Sequence, residues 1–428
     1  MKKLLTASLI ALSLSATAAQ YNPVDQAFVD QAAAMGTPIT EWDNGEHTAA
    51  TFANAYKFTT SYSISPGLLG SGTDVVVPEF WKQTNELDLH KIKAYDSDGE
   101  QNLYTILRDR LKNHSMVVIK GDEVKHQHFW NAMDENTTHL DMSVTKSFTS
   151  ILAQIAVAQG KLDMSKQVKA YLPELAGTVF GDATVQQVAD MRTGAKIPVP
   201  HGLSWDPRMT QSQEWNGKND SGLHGVKEYA KLVTERKYPV GKNYQYQCIH
   251  TEVLGMIVEK VTGEKLADLL ESQVWQKMGA ENEAHWQAGP DGFAVASGGL
   301  NMTTRDLARV GKMIANDGKN YLGEQVIPKA FIDSLWAGND EVRSAWKTGK
   351  EVHLAPDGYY KDQFRYLNIG GHELLAMVGI HGQSLVIDKK TKTVIATNGG
   401  YPRTETPRMA ILLFTQVIPA VIEALDAK

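Results

Sequence analysis

The most regular pattern of apolar positions begins at residue 143. Five apolar side chains recur there every three to four residues, which is the spacing of one face of a helix. They are Val144, Phe148, Ile151, Leu152 and Ile155. Gly160 follows where the C-terminal cap of a helix belongs. The pattern therefore predicts an amphipathic helix whose first turn contains Ser143.

Short apolar runs with strand character lie on both sides of this helix. Residues 116–119 form one run, a Gly-Asp turn follows at 121–122, and the chain can return from Val124 as the second strand of a hairpin. Near the other end, the strand-like runs are 374–380, 384–387 and 393–397, with a polar turn at 388–392. Because strands need partners, we expect the two ends of the chain to meet in one antiparallel sheet.

Helical patterns dominate the section from about 160 to 370, most clearly at 249–262 and 303–315. Further helices are predicted at 101–112 and 408–426, whereas residues 19–100 allow no firm assignment. We predict an α+β fold whose antiparallel sheet, built from both chain ends, carries flanking helices and an inserted, mainly helical subdomain. The predicted units are an N-terminal segment with the first strands at 19–142, the Ser143 helix and helical subdomain at 143–372, and the closing strands and helix at 373–428.

The first eighteen residues have the three parts of a secretory signal peptide. Lys2 and Lys3 supply positive charge, residues 4–14 are apolar, and Ala16-Thr17-Ala18 is a small-residue cleavage site. The apolar stretch is too short to span a bilayer. We therefore expect residues 1–18 to be removed and the mature protein to be exported, in the simplest case to the periplasm.

Charge and cysteine content narrow the possible partners. The formal net charge is −6, and it becomes −8 without the two lysines of the signal peptide. No basic stripe offsets this acidic balance, which argues against a nucleic-acid partner. No apolar run after the signal peptide reaches transmembrane length, so we expect no stable membrane insertion. The single cysteine, Cys248, excludes an intramolecular disulfide.

Ser143 and Lys146 form a Ser-x-x-Lys pattern at the start of the predicted helix. A serine hydroxyl is a weak nucleophile until a neighbouring group takes its proton. Positions i and i+3 lie on one helix face, about 5–6 Å apart at Cβ, so a lysine there can act as the base. The helix N-terminus also offers N–H groups to a developing oxyanion. The plainer alternative is a serine that only caps the helix.

A second Ser-x-x-Lys pattern occurs at Ser344 and Lys347. A chain of this length is expected to contain one or two such patterns by chance. Ser344 lies in a polar segment without helical periodicity, whereas Ser143 opens an amphipathic helix. We therefore select Ser143 as the candidate nucleophile.

Five segments resemble the class C β-lactamase and penicillin-recognising superfamily. They are 141–147 (DMSVTKS), 171–177 (YLPELAG), 253–263 (VLGMIVEKVTG), 304–311 (TRDLARVG) and 379–383 (GIHGQ). Within that superfamily the chain most resembles the 6-aminohexanoate-dimer (nylon-oligomer) hydrolases, over roughly residues 115–428. The resemblance implies a β-lactamase/transpeptidase-like fold, with Ser143 as nucleophile and Lys146 as its base.

The superfamily also has a catalytic tyrosine, usually followed two residues later by Asn or Ser. Its position ahead of the 253–263 segment matches Tyr246, for which the resemblance implies a proton relay, and Tyr244 is the competing candidate. Cys248 stands where Asn or Ser is expected. This departure leaves open whether the residue makes a polar contact with Lys146 or with substrate.

The third motif of the superfamily lies on an edge strand beside the nucleophile, and Gly379–Gly382 fits that place. The resemblance implies that the Ile380 N–H pairs with the Ser143 N–H as an oxyanion hole. His381 either faces substrate or is an ordinary strand histidine. The literal Lys-Thr-Gly at 347–349 lies in a polar stretch without strand pattern, so we interpret it as a surface coincidence.

The substrate loop is a second departure. Nylon-oligomer hydrolases carry a tyrosine on a flexible loop that closes over the amide, but residues 196–207 offer Trp205 instead. Trp205 either stacks on substrate or only fills the loop. The sequence therefore supports a general hydrolase activity more strongly than hydrolysis of the nylon oligomer.

The expected function is that of an exported serine hydrolase acting on a small ester or amide through an acyl-enzyme, without metal or organic cofactor. A penicillin-binding protein, a D-Ala-D-Ala carboxypeptidase or a non-catalytic β-lactam sensor of the same fold remains the alternative. A zinc site is disfavoured because His126, His128, Asp134 and His139 lack a zinc-hydrolase spacing. An α/β-hydrolase is disfavoured because no Gly-x-Ser-x-Gly elbow occurs.

Overall fold

The computed structural model describes residues 18–67, 82–201, 203, 205–403 and 407–427. The predicted signal peptide lies outside these residues, apart from Ala18. Fifteen strands are described: β1 (Gln20–Asn22), β2 (Thr60–Ile64), β3 (Lys82–Gln83), β4 (Lys93–Asp96), β5 (Gly99–Asn102), β6 (Asn113–Lys120), β7 (Glu123–Phe129), β8 (Thr138–Leu140), β9 (Ala284–Ala288), β10 (Leu300–Thr303), β11 (Tyr359–Lys361), β12 (Phe364–Ile369), β13 (His372–Gly379), β14 (Gln383–Asp388) and β15 (Val394–Gly399).

The described α-helices lie mostly in the middle and at the end of the chain, and three precede β6. They are α1 (Gln26–Ala34), α2 (Thr48–Thr51), α3 (Leu103–Thr105), α4 (Thr145–Ala158), α5 (Val185–Ala189), α6 (Pro207–Ser212), α7 (Val226–Leu232), α8 (Cys248–Thr262), α9 (Leu266–Leu270), α10 (Thr304–Ala315), α11 (Lys329–Ala337), α12 (Asp340–Trp346), α13 (Pro407–Ile411) and α14 (Ile418–Asp426). The predicted helices at 249–262 and 303–315 are thus confirmed as α8 and α10. The helix predicted at 101–112 is shorter, because β5 occupies its first residues and α3 with a π-helical turn completes it.

The main sheet joins the two ends of the chain, as predicted. Its strand order is β11-β12-β13-β14-β15-β6-β7-β3, and β15 pairs antiparallel with β6. The apolar run 116–119 is completely buried in β6 because the sheet is covered on both faces. Helix α10 crosses one face, where Gly311 allows the close approach: a Cβ there would lie 2.4 Å from Val394 Cγ1.

Strands β11 and β12 were not predicted, and they place β13 inside the sheet rather than at its edge. Their hairpin turns at Asp362 and Gln363, both of which have positive φ. These two polar side chains are buried and bonded internally, Asp362 to the Lys361 ammonium and Gln363 to the hydroxyls of Thr251 and Tyr360. A polar sequence therefore forms an interior hairpin, which explains why the apolar pattern does not reveal it.

A second sheet has the order β1-β2-β9-β10-β8 and includes the first two strands of the N-terminal segment that could not be assigned. The same segment supplies an apolar cluster in which the Trp42 ring stacks on Phe58, with ring centroids 5.2 Å apart. Met142 and Ile380 belong to this cluster. Residues before position 60 therefore pack against the two segments that flank the candidate nucleophile.

The polar segment around Ser344 is also helical, contrary to our expectation. Helix α12 begins at Asp340, where the Asn339 side chain caps it by accepting the Val342 N–H at 2.9 Å. Two positions on its inner face, Ala345 and Trp346, are buried. The helix is short, and two or three buried positions are too few to show a period in the sequence.

The C-terminal helical run Arg408–Asp426 is 19 residues long and is apolar enough, by length and composition alone, to cross a membrane. This finding differs from the expectation that no run beyond the signal peptide reaches that length. Half of the run is nevertheless buried inside the fold, and Val417, Ile418 and Val421 are completely covered. These are properties of a core helix.

Candidate active site

Ser143 lies at the sharp turn that joins β8 to α4. The turn is a 3₁₀ turn, Met142–Val144, and Met142 adopts a left-handed conformation with φ 47°. This conformation is strained for a side chain other than glycine, and such strain is concentrated at functional sites. Asp141, Met142 and Val144 are buried, whereas Ser143 is partly exposed. The turn therefore presents one hydroxyl to the outside from an otherwise buried segment.

Lys146 is buried one turn further along, with 1% of its surface exposed. Its Nζ donates to Ser143 Oγ at 2.9 Å, to Cys248 Sγ at 3.3 Å and to the Ser297 carbonyl oxygen at 2.6 Å. Three acceptors match the three protons of an ammonium group. The lysine predicted as base therefore touches the predicted nucleophile in the resting structure.

The electrostatic setting of Lys146 is determined by its burial and by its acidic neighbours. Burial lowers the pKa of Lys146, whereas its neighbours Cys248, Tyr246 and Glu252 raise it, and the pKa is raised overall. The raised pKa and the three acceptors favour the ammonium form at rest. Lys146 therefore has to lose one proton before it can accept the proton of Ser143.

Tyr246 is the tyrosine that the structure brings to this cluster. Lys146 Nζ lies 5.2 Å from the centroid of its ring, and the Arg365 guanidinium lies 4.8 Å from the same centroid. The Tyr246 hydroxyl makes no hydrogen bond with another described residue. Tyr244 is buried instead, and its hydroxyl donates to Glu351 at 3.1 Å. Tyr244 is therefore engaged in packing, and Tyr246 keeps a free hydroxyl.

Cys248 takes the place expected for Asn or Ser and keeps a polar contact with the lysine. It is the first residue of α8 and is partly exposed, and its sulfur accepts from Lys146 Nζ. The departure from the family pattern therefore replaces the expected amide or hydroxyl by a thiol without removing the contact.

The end of β13 lies against the nucleophile turn. A Cβ at Gly379 would be 2.6 Å from the Asp141 carbonyl oxygen, so only glycine permits this approach. The next residue, Ile380, begins a short turn. The Ile380 carbonyl oxygen accepts a hydrogen bond from the Gln383 side chain at 3.1 Å. The structure thus holds the Ile380 backbone next to the Ser143 turn, the place predicted for the oxyanion hole.

The other two residues of this motif have backbone roles. His381 has φ 66° and is buried; its Nδ1 lies 2.6 Å from the Tyr401 carbonyl oxygen, and its ring packs edge-on against Phe52. Gly382 has φ 102° and completes the turn. His381 was expected either to face substrate or to be an ordinary strand histidine. Its contacts favour a packing role, and it lies in a turn rather than on a strand.

Among the described residues, no hydrogen bond or ring contact joins the remaining predicted positions to Ser143, Lys146 or Tyr246. Trp205 is partly exposed in the loop before α6 and makes no hydrogen bond or ring contact with a described residue. Lys347 and Thr348 lie on an exposed turn after α12 rather than on a strand. This placement agrees with a chance occurrence of the Lys-Thr-Gly sequence.

The sequence did not reveal that the loop before β10 is part of the site. The Thr149 hydroxyl donates to the Ala296 carbonyl oxygen at 2.8 Å, and the Leu300 N–H donates to Thr145 Oγ1 at 3.1 Å. The loop is thereby fixed along α4, which places the Ser297 carbonyl oxygen on Lys146. A buried acidic residue on α8, Glu252, fixes the same loop from the other side. Its charge among the apolar residues of that helix is the signal that could have identified it.

The histidines considered for zinc are dispersed. His126 and His128 stack on one face of β7, while His139 bonds to His114 at 2.9 Å inside the fold. Burial lowers the pKa of His114 to about 4 and that of His126 likewise to about 4, which favours neutral rings. Within the described ranges, no group of three or more His, Cys, Asp or Glu side chains could hold a metal ion.

Known proteins share both the sequence pattern and the fold. The β-lactamase family profile matches residues 107–416. A 6-aminohexanoate-dimer hydrolase of Paenarthrobacter ureafaciens is 29% identical over 402 residues, which cover 92% of this chain and 96% of the relative. A Bacillus anthracis structure assigned as a 6-aminohexanoate-dimer hydrolase has a TM-score of 0.75 at 23% identity, over 90% of this chain and 96% of its own. A D-stereospecific amidohydrolase of Streptomyces sp. has a TM-score of 0.55 at 15% identity, over 73% and 97%.

These matches confirm two expectations from the sequence. The resemblance to β-lactamases and 6-aminohexanoate-dimer hydrolases extends over most of the chain, and the α+β fold is of the β-lactamase/transpeptidase type. The chain belongs to the β-lactamase family and is a hydrolase.

Proposed function

We propose that this protein is an exported serine hydrolase that cleaves ester or amide bonds, including cyclic amides, through an acyl-enzyme on Ser143. Lys146 is the base, and Tyr246 relays protons. The observation that carries the proposal is the 2.9 Å hydrogen bond between Lys146 Nζ and the partly exposed Ser143 hydroxyl. Nucleophile and base within hydrogen-bond reach are the required geometry for an activated serine.

The reaction begins with a proton transfer inside the cluster. Lys146, after losing one ammonium proton to solvent, takes the Ser143 proton as Oγ attacks the carbonyl carbon, and is an ammonium again. The N–H groups of Ser143 and Ile380 hold the oxyanion. Tyr246 then gives its hydroxyl proton to the leaving alcohol or amine and regains a proton from the Lys146 ammonium. Water releases the acyl group by the reverse route.

The substrate is a small molecule rather than a polymer of nucleotides or a membrane lipid. The net charge of −6 disfavours polyanions, which supports this choice. A relative with 29% identity is named for hydrolysis of 6-aminohexanoate dimer, so linear amides belong in the first substrate panel. Export to the periplasm follows from the signal-like pattern of residues 1–18.

Intact-protein mass spectrometry after reaction with a fluorophosphonate, and separately with a penicillin, tests this proposal. We expect a single fluorophosphonate adduct that maps to Ser143 and a penicilloyl adduct that disappears within minutes. A penicilloyl adduct that persists would favour the penicillin-binding alternative. Folded protein that forms neither adduct would contradict an activated serine and would point to a binding protein.

Replacing Tyr246 by phenylalanine should lower kcat by about 10² to 10³-fold, because general acid–base groups contribute factors of this size. The fold should be unaffected, since the Tyr246 hydroxyl has no hydrogen-bond partner among the described residues. Tyr244→Phe is the matched control: it removes a buried hydrogen bond to Glu351 and should lower thermal stability with little change in kcat. Steady-state kinetics and thermal unfolding of both variants distinguish the two tyrosines, and the opposite ranking of kcat would refute the assignment.

A further inference from the structure

Glu252 is completely buried and has no role in the mechanism so far. It lies on α8, one helical turn after Cys248. Its Oε2 accepts the Ala296 N–H at 3.1 Å and its Oε1 accepts the Ser297 N–H at 3.1 Å. The same Ser297 residue presents its carbonyl oxygen to Lys146. One peptide segment therefore joins the buried carboxylate to the buried ammonium.

The hydrogen bonds favour the ionised form of Glu252. Both oxygens act as acceptors of N–H groups, which a carboxylate satisfies fully and a protonated carboxyl group satisfies less well. Burial raises the pKa of Glu252 overall, while contacts with Ser297 and Gln213 and the charge of Lys146 limit the rise. Since an isolated buried charge is costly, the carboxylate needs a buried cation nearby, and Lys146 supplies it.

We propose that Glu252 is a positioning residue for Lys146. It holds the Ala296–Ser297 segment so that the Ser297 carbonyl oxygen orients the ammonium, and its charge stabilises that ammonium when Lys146 takes the Ser143 proton. The inference rests on the proposed serine mechanism. It adds a fourth side chain, outside direct reach of the substrate, to the Ser143–Lys146–Tyr246 group.

The groups around Lys146 determine how a substitution of Glu252 affects the protonation of the lysine. Ser143 faces it from its own helix turn, Tyr246 and Cys248 face it from the start of α8, and the Ser297 carbonyl oxygen faces it from the loop before β10. The Gln213 side chain, which is uncharged, also lies close to Glu252. An ionised Glu252 therefore contributes a negative charge that no neutral substitute reproduces.

The test measures the rate of fluorophosphonate labelling at Ser143 against pH in the full-length protein, which requires no knowledge of the substrate. The rate should rise with pH as the coupled Lys146–Tyr246 pair loses a proton. In Glu252→Gln the missing negative charge destabilises the ammonium, so the midpoint should move to lower pH by about one unit. The maximal rate should fall about ten-fold because the amide cannot accept both N–H groups.

Glu259→Gln is the matched control. Glu259 lies two turns further along the same helix, is largely buried, and accepts the Leu266 N–H at 3.2 Å. The same chemical change there should leave both midpoint and maximal rate unchanged, whatever it does to stability. Glu252→Asp keeps the charge but withdraws it from the loop, so its midpoint should equal that of the wild type while its maximal rate falls.

An unchanged midpoint in Glu252→Gln, or an equal shift in Glu259→Gln, would reduce Glu252 to a purely structural residue. If Glu252→Gln does not fold, Glu252→Asp decides: a wild-type maximal rate would overturn the proposal, and a lowered rate at an unchanged midpoint would support it. Failure of the wild-type protein to react at Ser143 would instead refute the proposed function itself.

Discussion

Ser143→Ala is expected to abolish turnover and fluorophosphonate labelling while leaving a folded protein. The change removes one partly exposed oxygen that accepts a hydrogen bond from Lys146. Loss of a serine nucleophile costs kcat about 10⁴-fold or more, because the other catalytic groups cannot act without it. Thermal unfolding and circular dichroism should stay close to those of the wild type, since the neighbouring side chains remain packed.

The chain offers a matched control for this variant. Ser344 begins a second Ser-x-x-Lys pattern, and the structure shows that this copy is also helical but exposed. Ser344→Ala should therefore retain full activity and full labelling. Turnover by a folded Ser143→Ala protein at more than a few per cent of the wild-type rate would exclude the acyl-enzyme mechanism.

Lys146→Ala should have the second largest effect, a fall in kcat of about 10³ to 10⁴-fold, because it removes the base that activates Ser143. It also leaves the Ser297 carbonyl oxygen and the Glu252 carboxylate buried without their cation. Thermal stability should therefore fall together with activity. Lys347→Ala, in the exposed second pattern, should change neither quantity.

Labelling kinetics separate the two effects of Lys146→Ala. The rate of reaction of Ser143 with a fluorophosphonate, measured well below the unfolding temperature, should fall in parallel with kcat. A variant that unfolds at lower temperature but labels at the wild-type rate when folded would show that Lys146 only stabilises the fold. Another residue would then have to act as base.

Much of the fold was predictable because the apolar residues of its helices and strands follow a clear pattern along the sequence. The helix after Ser143 has a buried face with regular spacing, and the strands near the C-terminus are short apolar runs separated by turns. Strands β11 and β12 escaped prediction because their hairpin turn buries polar side chains that satisfy one another. The N-terminal strands escaped because their partners are far away in sequence: β1 pairs with β2, and β2 pairs with β9.

The candidate site was predictable only where residues are adjacent in sequence or match a family motif. Ser143 and Lys146 follow from helix geometry, and Tyr246 follows from its position ahead of α8. Glu252 and Ser297 could not be identified in this way. Both residues reach the site through the loop before β10, which folds back along α4. No local sequence pattern predicts that contact.

The pairing of β6 with β15 has a consequence for how the protein reaches its active form. Ser143 and Ile380 are separated by more than half of the chain, and the main sheet, which contains β13, closes only when β15 pairs with β6. Contacts of such long sequence separation form slowly, because the entropy of closing the loop must be overcome first. A chain emerging from a ribosome therefore has no assembled site until almost all of it has been synthesised.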